Sequence, residues 1–474
     1  MESPSSKQCP FNRSAPSDTA RARTAGTWPP GPWAGLTGRR LLAEMSRDLP
    51  GALAAWQAEY GDLVHLRLWH EHEIVVTDPA LARELLVTHP DALVRWERGV
   101  RIFSQVHGQS VLTTEGETWR ARRQALSPDF SPKAVQRLTQ TIVDATSQAF
   151  AQWPAEAGDW PIESALTLLA MDVILRMVFS SCLGEDVHVA EQAIRVIGAA
   201  TNAEFFSAVS LPDWMPWKRT KRRALNSLKG LIERHLQGRL GLARDAWPDD
   251  LLSRLLRLRE DGAALSLQDV RDECMTSFLA GHETTAAALG WWAWCMASNP
   301  AAQRHAREEV QHVLRGDTPT IEALPSLEYV GHTIKESLRL YPAVPVLFSR
   351  RAQGVVQLGD WTFPARTLFV VPVNVIHRDS RWYTDPEAFQ PERFATGAPE
   401  IPRGAYMPFG AGARVCLGQH LAMTEMTIIA AMLLQRFELS VPSGSTPPRA
   451  VLNVTLRPDE PMLLRVAPVG AAVA

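Results

Sequence analysis

The chain has 474 residues, of which 46% are hydrophobic and 21% charged, with a formal net charge of −2. These values describe an ordinary globular protein with a large core, and they exclude a disordered chain and a broadly basic nucleic-acid binder. Five cysteines scattered at positions 9, 182, 274, 295 and 416 argue against a disulfide framework and for a reducing compartment.

Residues 1–27 hold Ser, Pro and Arg but no apolar stretch, so they are expected to form a flexible tail rather than a secretory signal. Their arginines leave a transit peptide open, although the prolines spoil an amphipathic helix. Trp28-Pro29-Pro30-Gly31-Pro32 stiffens the entry to the folded body. Two short apolar runs over 63–77, with His70 and Glu71 between them, predict a β-hairpin. Asp78-Pro79 then opens a helix with Asp78 as N-cap.

Helical periodicity dominates over 131–153, 162–179, 219–244 and 265–297, and again after position 420. The apolar stretch 286–297 is too short to span a membrane and reads as a buried helix. Strand-like runs return at 361–373, 437–441, 451–456 and 462–466. Helices in the middle and strands toward both ends predict a mainly α, α+β fold: a helix-rich body with a small segregated β-region. No repeat or linker divides the chain, so 28–474 is expected to form one domain, a cytoplasmic monomer without a membrane anchor.

Four motifs carry chemistry. The richest is Phe409-Gly410-Ala411-Gly412-Ala413-Arg414-Val415-Cys416-Leu417-Gly418. Gly410, Gly412 and Gly418 give the backbone freedom to take positive φ and let a flat group lie against it. Backbone N–H groups in such a turn, and the N-terminus of the helix that follows, favour a thiolate. A lone cysteine is a poor zinc site but suits a haem iron, and Arg414 can neutralise an anion.

The second motif, Ala280-Gly281-His282-Glu283-Thr284-Thr285, places a glycine inside a helix at a cost of about 1 kcal/mol. Gly281 is expected to leave room for a bound group, beside a threonine whose hydroxyl bonds back to the preceding turn. In the third, Glu336-Ser337-Leu338-Arg339, acid and base share a helix face, with Arg393 further on. In the fourth, Trp119 and Arg123 stand at i and i+4, with an indole N–H and a guanidinium suited to a carboxylate.

Together, in this order, the motifs resemble those of the cytochrome P-450 superfamily, and the likeness covers roughly residue 28 to the C-terminus. The resemblance implies haem b with Cys416 as axial thiolate ligand, held in a loop that includes Phe409, Gly410 and Gly418. It implies that Glu283 and Thr284 form the acid–alcohol pair of oxygen activation, and that Trp119, Arg123 and Arg414 hold the haem propionates. A further propionate partner is expected at Arg350, with Arg351 the alternative register. By the same resemblance Glu336, Arg339 and Arg393 are structural. The implied activity is insertion of one atom of O2 into an apolar substrate (a fatty acid, terpenoid or other natural product), with electrons from a separate ferredoxin or flavoprotein. Isomerases, dehydratases and peroxide-using enzymes share the haem-thiolate site, and a non-enzymatic haem-binding sensor is a further alternative, but Glu283 and Thr284 favour oxygen activation.

Arg120, Arg122, Lys133 and Lys335 are expected to present positive charge to an acidic donor. Substrate contacts are expected from a loop at 96–110, the region 200–217 and the terminal strands, with Phe103, Phe205, Phe206, Leu211 and Trp214 forming an apolar pocket.

Overall fold

A computed structural model describes residues 28–470 apart from 90, 183, 185–186 and 208–214. Leu211 and Trp214 of the expected pocket, and the tail 1–27, therefore lie outside the described residues.

The body is built around one long helix, Leu267–Ser298. Its start is set by a capping box: the Ser266 side chain accepts from the Asp269 N–H, and Asp269 accepts in return from Ser266. The helix buries apolar residues on nearly every face, including Trp291 and Trp292. That is the signature of a central core element rather than a surface helix. It packs along Ile162–Phe179, whose bounds agree with the expected helix. Among the described residues, no helix is long and apolar enough to cross a membrane.

Gly281 lies at this helix–helix contact. A Cβ on it would approach Ile174 Cδ1 to 2.6 Å, so the glycine admits a neighbouring helix, and the expectation that it clears space for a bound group is corrected. Three other expectations also shift. The helix foreseen over 131–153 divides at Leu138 into Pro132–Arg137 and Thr139–Phe150. The 219–244 helix ends at Leu240, before Gly241. The segment 96–110 contains a helix, Glu97–His107, closed by Gly108 at φ +58°.

The hairpin forms as expected, Leu63–Leu68 against Glu71–Val76, and the Asp78 side chain caps the next helix by accepting from the Leu81 N–H. These strands open a five-stranded sheet that continues through Leu368–Val370, Arg350–Ala352 and Leu93–Arg95. The register is Glu73 opposite Leu368 in the parallel pair, then Arg350 opposite Phe369, then Arg95 opposite Arg350. One sheet thus draws together residues separated by more than 250 positions.

Beneath this assembly, Glu336 and Arg339 form a fully buried ion pair at 2.7 Å, joined by Arg393 at 3.2 Å. Arg339 also donates to the carbonyls of His377, Pro386 and Ala388. The helix Gln419–Arg436 carries the opposite case: Glu425 is buried, one of its oxygens has no partner, and burial pushes its pKa up to about 8.

The two glutamates respond oppositely to neutralisation. Glu336→Gln breaks a satisfied buried cluster and is expected to cost roughly 3–5 kcal/mol in denaturant unfolding. Glu425 stays protonated in the native state, while the unfolded chain ionises above the ordinary value of 4.5. Native stability therefore falls as pH rises from there to about 8. Glu425→Gln is accordingly expected to raise the thermal midpoint near pH 8 and to leave it unchanged near pH 4.

Gly281→Ala is expected to lose about 1–3 kcal/mol by overpacking, and Ile174→Val to restore part of that loss in the double variant. No rescue in a thermal-unfolding comparison would remove Ile174 as the cause.

Candidate functional site

The thiol loop is shaped by glycines with distinct uses. Gly410 and Gly412 adopt φ +74° and +72°, which L-residues with side chains rarely tolerate. A Cβ on Gly412 would also lie 2.1 Å from the Leu86 carbonyl oxygen, so this turn presses directly on neighbouring backbone. Gly418 differs from its expected role. Its φ is −83°, and it serves as N-cap of Gln419–Arg436. A Cβ there would stand 4.0 Å from the Cys416 sulfur, so its missing side chain leaves the thiol open.

The Cys416 N–H donates to the Phe409 carbonyl at 2.9 Å, closing the loop. The Cys416 side chain is exposed. Desolvation by the surrounding protein raises its pKa, while the Gly418 N–H and Arg123 oppose that rise. Arg123 donates to the Val415 carbonyl at 3.0 Å, which places its charge beside the thiol.

Next to the loop is a cleft of about 810 Å³ lined by Arg95, Trp119, Arg120, Arg350 and Arg414, with Asp91 and Glu115. Trp119 and Arg414 stack, with the guanidinium carbon 3.6 Å from the ring centroid, and Arg414 also pairs with Glu115. Positions 350 and 351 point to different partners. Arg350 lines the cleft and donates to the Phe348 carbonyl. Arg351 is engaged with Glu71 and Glu97.

Arg95 is the cleft residue that sequence reasoning missed. It is 8% exposed, its Nε has no partner, and burial followed by repulsion from Arg414 and Arg350 lowers its pKa to about 9. The available signal was a charged residue closing the apolar strand Leu93–Arg95, but its cross-strand neighbour Arg350 was not visible in the sequence. Burial, and then Arg350 among its neighbours, also lowers the Arg414 pKa to about 10. Like charges directly opposite on paired strands are destabilising. An unpartnered guanidinium N–H and a surplus of cations make the cleft suited to a group bearing carboxylates.

A second cavity, of about 410 Å³, has a mostly apolar lining that includes Phe103, Phe205, Phe206, Leu279, Val344, Leu347 and Phe348. Phe103 contacts the rings of Phe205 and Phe348 at centroid distances of 5.4 Å. Leu452, Val454 and Thr455 from the hairpin of Ala450–Asn453 and Thr455–Pro458 close part of it. The expected contributions of Phe103, the two phenylalanines at 205–206 and the terminal strands are therefore present.

Glu283 and Thr284 both line this cavity. Successive helical residues diverge around the axis, and the two engage different partners. Thr284 donates to the Ala280 carbonyl at 2.7 Å, the expected back-bond. Glu283 accepts from Thr455 at 3.4 Å and Arg457 at 3.3 Å. Burial raises the Glu283 pKa, against the pull of Arg457 and the hydrogen bond from Thr455.

The expected positive face needs one correction. Arg122 is buried and paired with Asp269 and Glu273, so it presents no charge outside. Lys133 is exposed, Arg120 pairs with Asp91 and Glu117, and Lys335 lies over the Phe394 ring.

Comparison with known proteins agrees with this architecture. A family model described as Cytochrome P450 matches residues 29–465. Among curated relatives, Cyclooctat-9-en-7-ol 5-monooxygenase of Streptomyces melanosporofaciens is 32% identical over 82% of this chain and 84% of its own length. Cytokinin hydroxylase of Arabidopsis thaliana is 31% identical over 87% of this chain and 82% of its own. Protein LUTEIN DEFICIENT 5, chloroplastic, also of Arabidopsis thaliana, is 28% identical over 86% and 72%. With a thiol in a glycine-rich loop, a cationic cleft beside it and an apolar cavity bordered by an acid and an alcohol, the chain belongs to the cytochrome P450 family of haem-thiolate monooxygenases.

Proposed function

We propose that residues 28–474 form a single catalytic unit that inserts one atom of O2 into a C–H or C=C bond of a largely apolar organic molecule. The observation that carries this reading is the opposition of Arg95 and Arg350 on paired strands, one sheet away from an apolar cavity bordered by Thr284. Glu115 pairs with both Arg95 and Arg414, so one carboxylate serves two of the three arginines (Arg350 is the third), and the two propionates of a haem would balance the rest.

In this reading Cys416 is the axial ligand and the group bound is haem b. Arg350, Arg414, Trp119 and the newly assigned Arg95 hold the propionates. Arg123, beside Val415, also favours the thiolate form of Cys416. Phe409, Gly410 and Gly418 keep the sulfur accessible. When bound, haem supplies redox chemistry that no side chain of this chain provides.

The protein supplies position, dryness and protons. The apolar cavity orients substrate and excludes water. Glu283, whose carboxyl burial makes a weaker acid, relays protons inward, and the Thr284 hydroxyl, anchored to the Ala280 carbonyl, hands them toward the cavity. Electrons come from a separate ferredoxin or flavoprotein, and Lys133 is the member of the expected basic set that faces solvent without an ion pair. The names of the relatives include a cyclic alcohol and a cytokinin, which supports oxidation of small organic molecules rather than of one shared substrate.

Two expected outcomes test the reading. Cys416→Ser is expected to lose the thiolate absorption band of the reduced, carbon monoxide-treated protein; an unchanged band would remove Cys416 as ligand. Thr284→Ala is expected to retain haem but to divert most reducing equivalents into hydrogen peroxide. Product formation per electron equal to that of the parent would take Thr284 out of proton handling.

A further inference from the structure

The apolar cavity contains one feature that a purely hydrocarbon ligand leaves unexplained. Glu73, in the strand Glu71–Val76, is 5% exposed and lines the same cavity as Thr284. Its carboxyl has neither a hydrogen-bond nor an ion-pair partner among the described residues. Burying such a group without a partner is costly, so its position calls for a ligand that satisfies it.

The two arginines near Glu73 bond other groups, although the Arg98 Nε has no partner among the described residues. Arg351 binds Glu71 and Glu97, and Arg98 donates to the carbonyls of Glu204 and Ser207. Burial first, then Glu71, pushes the Glu73 carboxyl up to about 7, while Arg351 and Arg98 hold it back. Near neutral pH such a carboxyl both donates and accepts hydrogen bonds. His107 also lines the cavity and lacks a partner at Nδ1, but that atom is sealed from any surface. The Glu73 oxygens are not sealed in this way.

Three ligand chemistries could meet a buried carboxyl. A carboxylate would add a third acid beside Glu71 and Glu73 and is disfavoured by their repulsion. An ammonium is disfavoured by the Arg351 and Arg98 guanidinium groups and by the surrounding apolar side chains of Leu42, Met45, Leu49 and Leu68. A hydroxyl carries no charge to desolvate and pairs with the carboxyl in either protonation state.

We propose that Glu73 is a specificity-determining residue that selects substrates whose apolar skeleton carries a hydroxyl group, with the carbon to be oxidised lying toward Thr284. This rests on the monooxygenase reading above. The sheet gives the selection a fixed geometry. Glu73 is opposite Leu368, and Arg350 is opposite the next residue, Phe369. The backbones that carry the hydroxyl anchor and the proposed propionate clamp are therefore two strand spacings apart, about 10 Å, and their side chains leave opposite faces of one rigid ladder. An alcohol held at Glu73 is set at a constant offset from the reacting centre, which selects position as well as substrate.

The test uses the haem-loaded protein and matched probes: cyclododecanol against cyclododecane, and menthol against menthane. Binding is followed by calorimetry, which reports affinity whether or not the haem spectrum responds. The parent is expected to bind each alcohol about tenfold more tightly than its hydrocarbon. Glu73→Leu is expected to bring the ratio to about one by weakening the alcohol and not the hydrocarbon, and Glu73→Gln to keep part of the preference. A purely structural role would weaken both members of a pair alike.

No alcohol preference in the parent, or an unchanged ratio in Glu73→Leu, overturns the proposal. Tighter binding of cyclododecylamine than of cyclododecanol also overturns it, in favour of a cation site. Haem content and the carbon monoxide band, recorded on the same samples, fail independently if the monooxygenase reading is wrong.

Discussion

A carboxylate with no exposure to water, clasped by two guanidinium groups, holds the lower half of this molecule in place. Glu336 meets Arg339 and Arg393, and it also accepts from the Gln390 N–H. Arg339 then turns its remaining N–H groups to three carbonyls between positions 377 and 388. From there His377 passes the constraint on, because its Nε2 accepts the Met407 N–H just before the thiol loop. A stretch of chain with little regular structure is thus suspended from one buried ion cluster. Such clusters contribute little net stability relative to apolar packing, but they are costly to leave incomplete. Their directionality gives the loop a single position.

Above that support, the protein separates two electrostatic environments by one sheet. The cleft concentrates cations, and burial lowers the pKa values of Arg95, Arg350 and Arg414. The neighbouring cavity concentrates hydrocarbon and raises the carboxyl pKa values of Glu73 and Glu283. Desolvation acts on both sides and disfavours charge in each. The difference lies in what would compensate it: in the proposed reading, an anionic cofactor on one side and hydrogen bonding on the other.

What was legible in the sequence depended on locality. Ile162–Phe179, the 63–77 hairpin and the Asp78 cap rest on patterns within a few residues, and the structure reproduces them. The thiol loop was legible for the same reason, since its glycines and cysteine are contiguous. Arg95, Arg122 and Gly281 were misjudged or missed because their partners lie far along the chain: Arg350 across a sheet, Glu273 across a helix contact, and Ile174 on a neighbouring helix. A basic run such as Trp119-Arg120-Ala121-Arg122-Arg123 does not reveal which arginine faces inward. His377 looked like one residue in a loop, and only its two hydrogen bonds disclose that it links the ion cluster to the thiol loop.

The Arg95–Arg350 ladder rung has a thermodynamic consequence for assembly. The strand Leu93–Arg95 is three residues long and joins the sheet only through Arg350–Ala352. Its last rung brings two positive charges together with no intervening strand to dilute them. Whatever anion settles there converts a repulsive rung into a cohesive one, so cofactor affinity and closure of the sheet edge are two expressions of a single free energy. An anion bound there would join Glu115, which already pairs with Arg95, in stabilising an edge that would otherwise repel itself.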